Sequence, residues 1–85
     1  MKTALVEIMR EFSDGEIDAP SFVTRFQTTW KQLRDAGELA GPNGRIFDRA
    51  FTAADCYSPV PKNLWEINAD RLRAEITDLA TLIIP

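Results

Sequence analysis

Residues 48–61, DRAFTAADCYSPVP, place a carboxylate and a phenol where a helical pattern ends. Asp55 is expected at the carboxyl end of this helix, where the backbone already carries partial negative charge. Its carboxylate destabilises the helix slightly, so stability does not explain its presence. Tyr57 is a residue type frequent in binding hot spots, and Pro59 and Pro61 stiffen the loop, which lowers the entropy lost on binding. These residues are typical of a surface that binds a partner.

A structural role explains the same residues equally well. In that alternative, Tyr57 and Trp65 cover the end of the domain, and Asp55 accepts a hydrogen bond from a nearby backbone N–H. Cys56 fits the role of a small buried apolar residue better than that of a nucleophile. Asp35 is expected near the end of another helix, but Arg34 beside it offsets the cost of its charge.

Side chains for catalysis or metal binding are scarce in this chain. It contains no histidine and a single cysteine, so histidine bases and soft-metal ligands are lacking. It has no Gly-rich phosphate loop and no Gly-flanked serine nucleophile. Thirteen acids always bring some carboxylates together, so a carboxylate pair carries little information. We therefore expect a protein that is not an enzyme and uses no cofactor or metal.

The charged residues are unevenly distributed along the chain. The net charge is −3; residues 1–18 contain five acids, whereas residues 19–34 contain three bases and no acid. A nucleic-acid-binding protein needs clustered Lys and Arg to displace counterions, so we expect no nucleic-acid partner. A basic protein is the better expectation, and the alternative is that the acids only keep a small domain in solution.

The apolar residues are too dispersed for a membrane segment. No apolar run approaches the roughly 20 residues that span a bilayer. Glu7 and Glu11 interrupt the opening segment, where a signal peptide needs a continuous apolar stretch. We expect a cytoplasmic protein without a membrane partner.

Apolar residues recur at helical intervals in four segments. The first helix is predicted over about residues 2–13. The second begins with Asp18 as its N-cap and Pro20 in its first turn, and stops at Gly37. The stripes expected to be buried on these two helices are Leu5, Ile8, Met9 and Phe12, followed by Phe22, Phe26, Trp30 and Leu33.

The second half of the chain repeats this pattern. A turn at residues 41–44 precedes the third helix, and Asn68 is the predicted N-cap of the fourth, with Asp70 in its first turn. Residues 56–67 form the longest irregular stretch, where function is most expected. The expected buried stripes are Ile46, Phe47, Ala50, Phe51 and Ala54, followed by Leu72, Ile76, Leu79 and Ile83.

Four amphipathic helices with short connections predict an all-α fold, a small antiparallel four-helix bundle that forms one domain over residues 1–85. The last helix has heptad-like spacing, and its Leu79, Leu82 and Ile83 are compatible with a dimer.

Three segments carry a resemblance to a known family. They are FVTRFQTTWKQLRDAG, IFDRAFTAADCYSPVP and WEINADRLRAEITDLATL. In them the chain resembles the colicin D-type immunity proteins, including those paired with contact-dependent inhibition toxins, from about Met1 to Leu82. The most specific pieces are Phe22, Phe26 and Trp30, then the Asp-Cys-Tyr-x-Pro run at residues 55–59, and Leu72, Arg73 and Glu75.

The resemblance implies a bacterial antitoxin that binds the nuclease domain of a cognate toxin in a 1:1 complex. In the colicin D family that toxin cleaves transfer RNA at its anticodon loop, and acidic groups of the immunity protein stand in for RNA phosphates. The partner is then a basic ribonuclease, whose cations must lie where the phosphates bind. This agrees with the acidic balance of the chain.

Carboxylates near the end of the third helix are the candidate toxin-binding residues. Asp48 and Asp55 are two helical turns apart, which places them on one side of the helix, about 10 Å apart along its axis. Tyr57, Glu66 and Asp70 are expected to extend this patch. The departure from the pattern is Arg45 and Arg49, which lie close enough in sequence to neutralise Asp48.

A second hypothesis is a helical adaptor or regulatory subunit that docks on a basic protein unrelated to any toxin. Its binding residues lie in the acidic first helix and the linker after it, and the loop at residues 55–66 only closes the bundle. These binding residues are Glu11, Asp14, Glu16 and Asp18.

Overall fold

The computed structural model describes residues 2–84, with side chains from Ala4 onward; Met1 and Pro85, the ends of the predicted domain, lie outside the described residues. The fold is all-α, as predicted, and no strand occurs in the described part of the chain. A single isolated bridge pairs Tyr57 with Ile67. The four helices are α1 (Lys2–Ser13), α2 (Ala19–Asp35), α3 (Gly44–Asp55) and α4 (Ala69–Ala80).

The helix boundaries follow the predicted caps. The Asp18 carboxylate accepts a hydrogen bond from the backbone N–H of Ser21 at 2.9 Å and begins α2. The Asn68 side chain accepts from the N–H of Arg71 at 2.9 Å and begins α4. At the end of α2, Gly37 has a φ of 73°, a left-handed conformation that glycine adopts without strain. These three predictions are confirmed.

The core lies between the four helices. α1 packs against α2 and α4, and α3 packs against the same two helices, which is the arrangement of a helical bundle. The Phe12 and Phe22 rings stack at 4.5 Å between centroids and form an aromatic contact between α1 and α2. The predicted stripes are buried except for four residues that are half-buried and pack against the core: Trp30, Ile46, Phe51 and Ile83.

The last helix is shorter than its apolar spacing predicts. α4 ends at Ala80, so Leu82 and Ile83 do not belong to it. The side chain of Asn43 holds the following segment by donating to the carbonyl of Ile84 and accepting from its N–H, both at 2.8 Å. The prediction of a heptad-like helix that includes Ile83 is therefore wrong, because the chain leaves the helix to pair with the α2–α3 link.

Arg73 ties α4 to the end of α1. Its Nε donates to the carbonyl of Phe12 at 3.0 Å and its Nη2 to that of Ile17 at 3.4 Å. Its guanidinium also lies over the Phe12 ring, 4.6 Å from the centroid. The side chain thus joins α4 to the last turn of α1 and to the link that follows it. No helix within residues 2–84 has the length and apolar character needed to cross a membrane.

Candidate binding surface at the exit of α3

The loop of residues 56–68, between α3 and α4, is closed by hydrogen bonds between its two ends. The N–H of Ser58 donates to the carbonyl oxygen of Ile67 at 2.9 Å. The N–H of Ile67 donates to the carbonyl oxygen of Cys56, also at 2.9 Å. These bonds bring the two ends of the loop together above α3 and α4. Residues 59–66 lie between these two hydrogen-bonded ends and form the tip of the loop.

Glu66 fixes the tip of this loop. Its Oε1 accepts hydrogen bonds from the backbone N–H groups of Lys62 and Asn63, at 2.8 and 2.9 Å, and from the Asn63 side chain at 3.3 Å. The N–H groups of Lys62 and Asn63 hold the pKa of the Glu66 carboxyl below its usual value. One carboxylate oxygen of this predicted toxin-binding residue is therefore already hydrogen-bonded within the loop.

The loop has two aromatic residues, one half-buried and one exposed. Tyr57 is half-buried and packs against the core, as the structural alternative requires. Trp65 is 62% exposed, and Leu64 beside it is fully exposed. The expectation that Trp65 covers the end of the domain is wrong, because most of its side chain is exposed to solvent.

Asp48 and Asp55 are exposed on α3, and Asp55 is its last residue. Among the described side chains, the ion pairs are Glu11 with Arg25, Asp35 with Arg34 and Glu75 with Arg71. Neither Arg45 nor Arg49 forms an ion pair with Asp48. Nor does Asp55 cap a backbone N–H within residues 4–84, which was the structural explanation for it. Both carboxylates remain available to a partner.

A groove of about 530 Å³ runs between α3, the loop and α4. It brings together two of the predicted residues, Asp48 and Glu66. Asp55, Tyr57 and Asp70 do not line it; Asp70 is exposed in the first turn of α4. The groove also contains Thr52, Trp65, Arg71 and Glu75.

Trp65 was missed as a surface residue, although the sequence carries a signal for it. It lies in the longest irregular stretch of the sequence and outside every helical stripe. Arg73 was assigned to a family motif, but the structure gives it the bonding role described above. Within residues 2–84, no three Cys, Asp or Glu side chains converge as a metal site requires.

The acidic segment of the adaptor hypothesis uses part of its charge internally. The Glu11 carboxylate pairs with Arg25 at 3.1 Å. Asp18 caps α2, and the hydrogen bonds from the hydroxyl and N–H of Ser21 lower the pKa of its carboxyl. Asp14 and Glu16 are exposed. Two of the four acids thus stabilise the fold.

Comparison with known proteins assigns no family to the chain. No family model matches the sequence, and no curated protein is significantly similar to it. The resemblance to immunity proteins stays a hypothesis that depends on the residues quoted for it.

Proposed function

We propose that the chain is an immunity protein that binds the nuclease domain, a tRNase, of a cognate bacterial toxin and blocks its active site. The observation that carries the proposal is the pair of exposed carboxylates on α3, Asp48 and Asp55, which have no ion pair within the described residues. Asp55 also lies where the helix dipole disfavours negative charge. A partner that supplies positive charge would offset this cost.

An antiparallel arrangement of neighbouring helices would give this surface a rigid frame. Two hydrogen-bonded ties support it. Arg73, near the start of α4, bonds the end of α1 at Phe12, and Asn43, before the start of α3, bonds the chain after α4 at Ile84. Both ties join the beginning of one helix to the end of its neighbour, as antiparallel helices require.

The proposed mechanism is occlusion with charge complementarity. A ribonuclease holds cations where the RNA phosphates bind, so a rigid surface that carries carboxylates can occupy the same cleft. Opposite potentials accelerate the encounter, and desolvated charge pairs slow dissociation. We expect a 1:1 complex in the bacterial cytoplasm with submicromolar affinity, and no catalysis by the immunity protein.

Co-expression tests this function. A bacterium that expresses a nuclease toxin encoded directly upstream of this chain should stop growing, and the chain should restore growth. The double variant Asp48→Asn, Asp55→Asn should protect poorly at limiting expression. Asp35→Asn is the matched control, because Asp35 also ends a helix but is paired with Arg34. If the chain protects against no neighbouring toxin, the function is different.

The adaptor alternative makes a different prediction for the same assay. It expects no protection, and binding to a basic protein through Asp14 and Glu16. Since Glu11 and Asp18 already have partners in the chain, the carboxylates on α3 are the stronger candidates for recognition.

A further inference from the structure

The exit of α2 contains a cation that contacts both an aromatic ring and a carboxylate. The Arg34 guanidinium lies over the Trp30 ring, 5.5 Å from its centroid, and its Nε donates to Asp35 at 3.1 Å. An arginine is stabilised in such a setting because the ring face is electronegative and the carboxylate accepts a charge-assisted hydrogen bond. At this site all three side chains belong to the chain itself.

The groove beside α3 also contains a ring and a carboxylate, but neither of them is paired with a cation of the described chain. Trp65 and Asp48 both line it, and neither has an ion-pair or cation–π partner among the described residues. Its remaining apolar lining includes Ala53 and Ile67, which suits the three methylene groups of an arginine side chain. The groove thus offers a surface for each part of that side chain.

The other charges that line the groove come from α3, the loop and α4. On α4, Arg71 and Glu75 pair with each other at 3.2 Å, so they offset one another. On the loop, Glu66 uses Oε1 for the loop tip. On α3, Arg49 is the cation that opposes a positive ligand, and Asp48 is unpaired. The uncommitted charge in the groove is therefore carried by Asp48, Arg49 and the second oxygen of Glu66.

The order of the loop favours binding. Glu66 and the Ser58–Ile67 bonds hold the loop that carries Trp65, so little conformational entropy is lost when a ligand contacts the ring. An exposed indole on an ordered loop gains apolar contact on binding at low cost.

We propose that this groove receives an arginine side chain of the basic partner, with the guanidinium against the Trp65 ring and hydrogen-bonded to the Asp48 carboxylate. That the partner is a nuclease rests on the proposed function, whereas recognition of arginine rests on the groove alone. Arginine suits the site better than lysine, because its planar group stacks on a ring while it donates to a carboxylate.

The test uses the isolated chain and a small probe. Titration of the ¹⁵N-labelled protein with N-acetyl-arginine amide should move the Trp65 indole N–H signal and the amide signals of Asp48 and Thr52, with saturation in the millimolar range. N-acetyl-citrulline amide has nearly the same shape without the charge and should produce no saturable shift. The Trp30 indole N–H is buried and serves as an internal reference.

Two variants locate the binding site. Trp65→Leu keeps an apolar side chain and removes the ring face, and should weaken binding of the probe about two- to fivefold. Asp48→Asn should weaken it by a similar factor. Because both residues are exposed, both variants should keep the helical circular dichroism spectrum.

The proposal is overturned if the arginine probe gives no saturable shift, if citrulline binds equally well, or if both variants bind as the wild type does. It is also overturned if inorganic phosphate, and not the arginine probe, moves the signals of Arg49 and Arg71. Arginine binding together with a failure to protect against any toxin would leave the groove assignment intact and reject the immunity function.

Discussion

The exits of α2 and α3 have the same residue at the last helical position and differ in what surrounds it. Asp35 ends α2 and pairs with Arg34, which also lies over Trp30. Asp55 ends α3 with no ion pair among the described residues, and the loop that follows exposes Trp65. At the end of α2, the chain's own arginine thus neutralises the carboxylate. The exit of α3 lacks this neutralisation, which is the property expected of a surface that meets a charged partner.

The two tryptophans should show the largest difference between these regions. Trp30→Ala should lower the free energy of unfolding by about 3 kcal/mol, because the ring packs on Phe51 at 4.2 Å and against the core. Trp65→Ala should change it by less than about 0.5 kcal/mol, because the ring is largely in solvent. Urea denaturation followed by circular dichroism measures both. A loss of more than about 1 kcal/mol for Trp65→Ala would make that residue structural and remove the contrast.

Protonation of Glu66 at low pH should destabilise the loop that follows α3. The pKa of its carboxyl in the folded chain lies below the ordinary value of 4.5, because the N–H groups of Lys62 and Asn63 stabilise the carboxylate. A group with a lowered folded pKa adds stability above its unfolded pKa and loses it as the pH falls through the folded value. Protection of the Lys62 and Asn63 amides against hydrogen exchange should therefore fall as the pH drops below 4.5.

Glu66→Gln should remove most of that acid dependence and lower the protection already at neutral pH. Glu16→Gln is the control, since Glu16 is exposed in the α1–α2 link and its side chain holds no loop. An unchanged acid profile in Glu66→Gln would show that the carboxylate does not order the loop.

The smallest expected effect is the difference in stability between variants of Asp55 and Asp35. Asp55→Asn should raise the free energy of unfolding by roughly 0.3–1 kcal/mol, because it removes a negative charge from the negative end of a helix dipole. Asp35→Asn should gain less, since it also gives up the ion pair with Arg34. Equal gains in thermal unfolding experiments would mean that the two helix exits are electrostatically equivalent.

The helices were predictable because their signals are local. Asp18 and Asn68 cap the helices that follow them, and the apolar stripes fall every three or four residues, so neighbouring positions decide the structure. The end of α4 was not predictable in this way. Ile83 fits the apolar spacing, but the pairing of Asn43 with Ile84 joins residues far apart in sequence and draws the chain out of the helix.

The candidate site was predictable only in part, for the same reason. The position of Asp55 at a helix end follows from local pattern, and the structure confirms it. The use of Glu66 by its own loop and the exposure of Trp65 depend on the path of residues 56–68. The absence of an ion pair at Asp48, although Arg45 and Arg49 are near it in sequence, depends on side-chain directions that spacing does not determine.

The most direct test of recognition by the unpaired carboxylates at the exit of α3 uses the nuclease partner that we propose. Calorimetry measures its affinity for the Asp55→Asn variant and for the Asp35→Asn control. We predict that Asp55→Asn weakens binding by about 2–5 kcal/mol, a factor of roughly 30 or more, although the variant is itself more stable. Asp35→Asn should bind as the wild type does. If Asp55→Asn binds within a factor of about two of the wild type, the carboxylate at the end of α3 does not contact the nuclease.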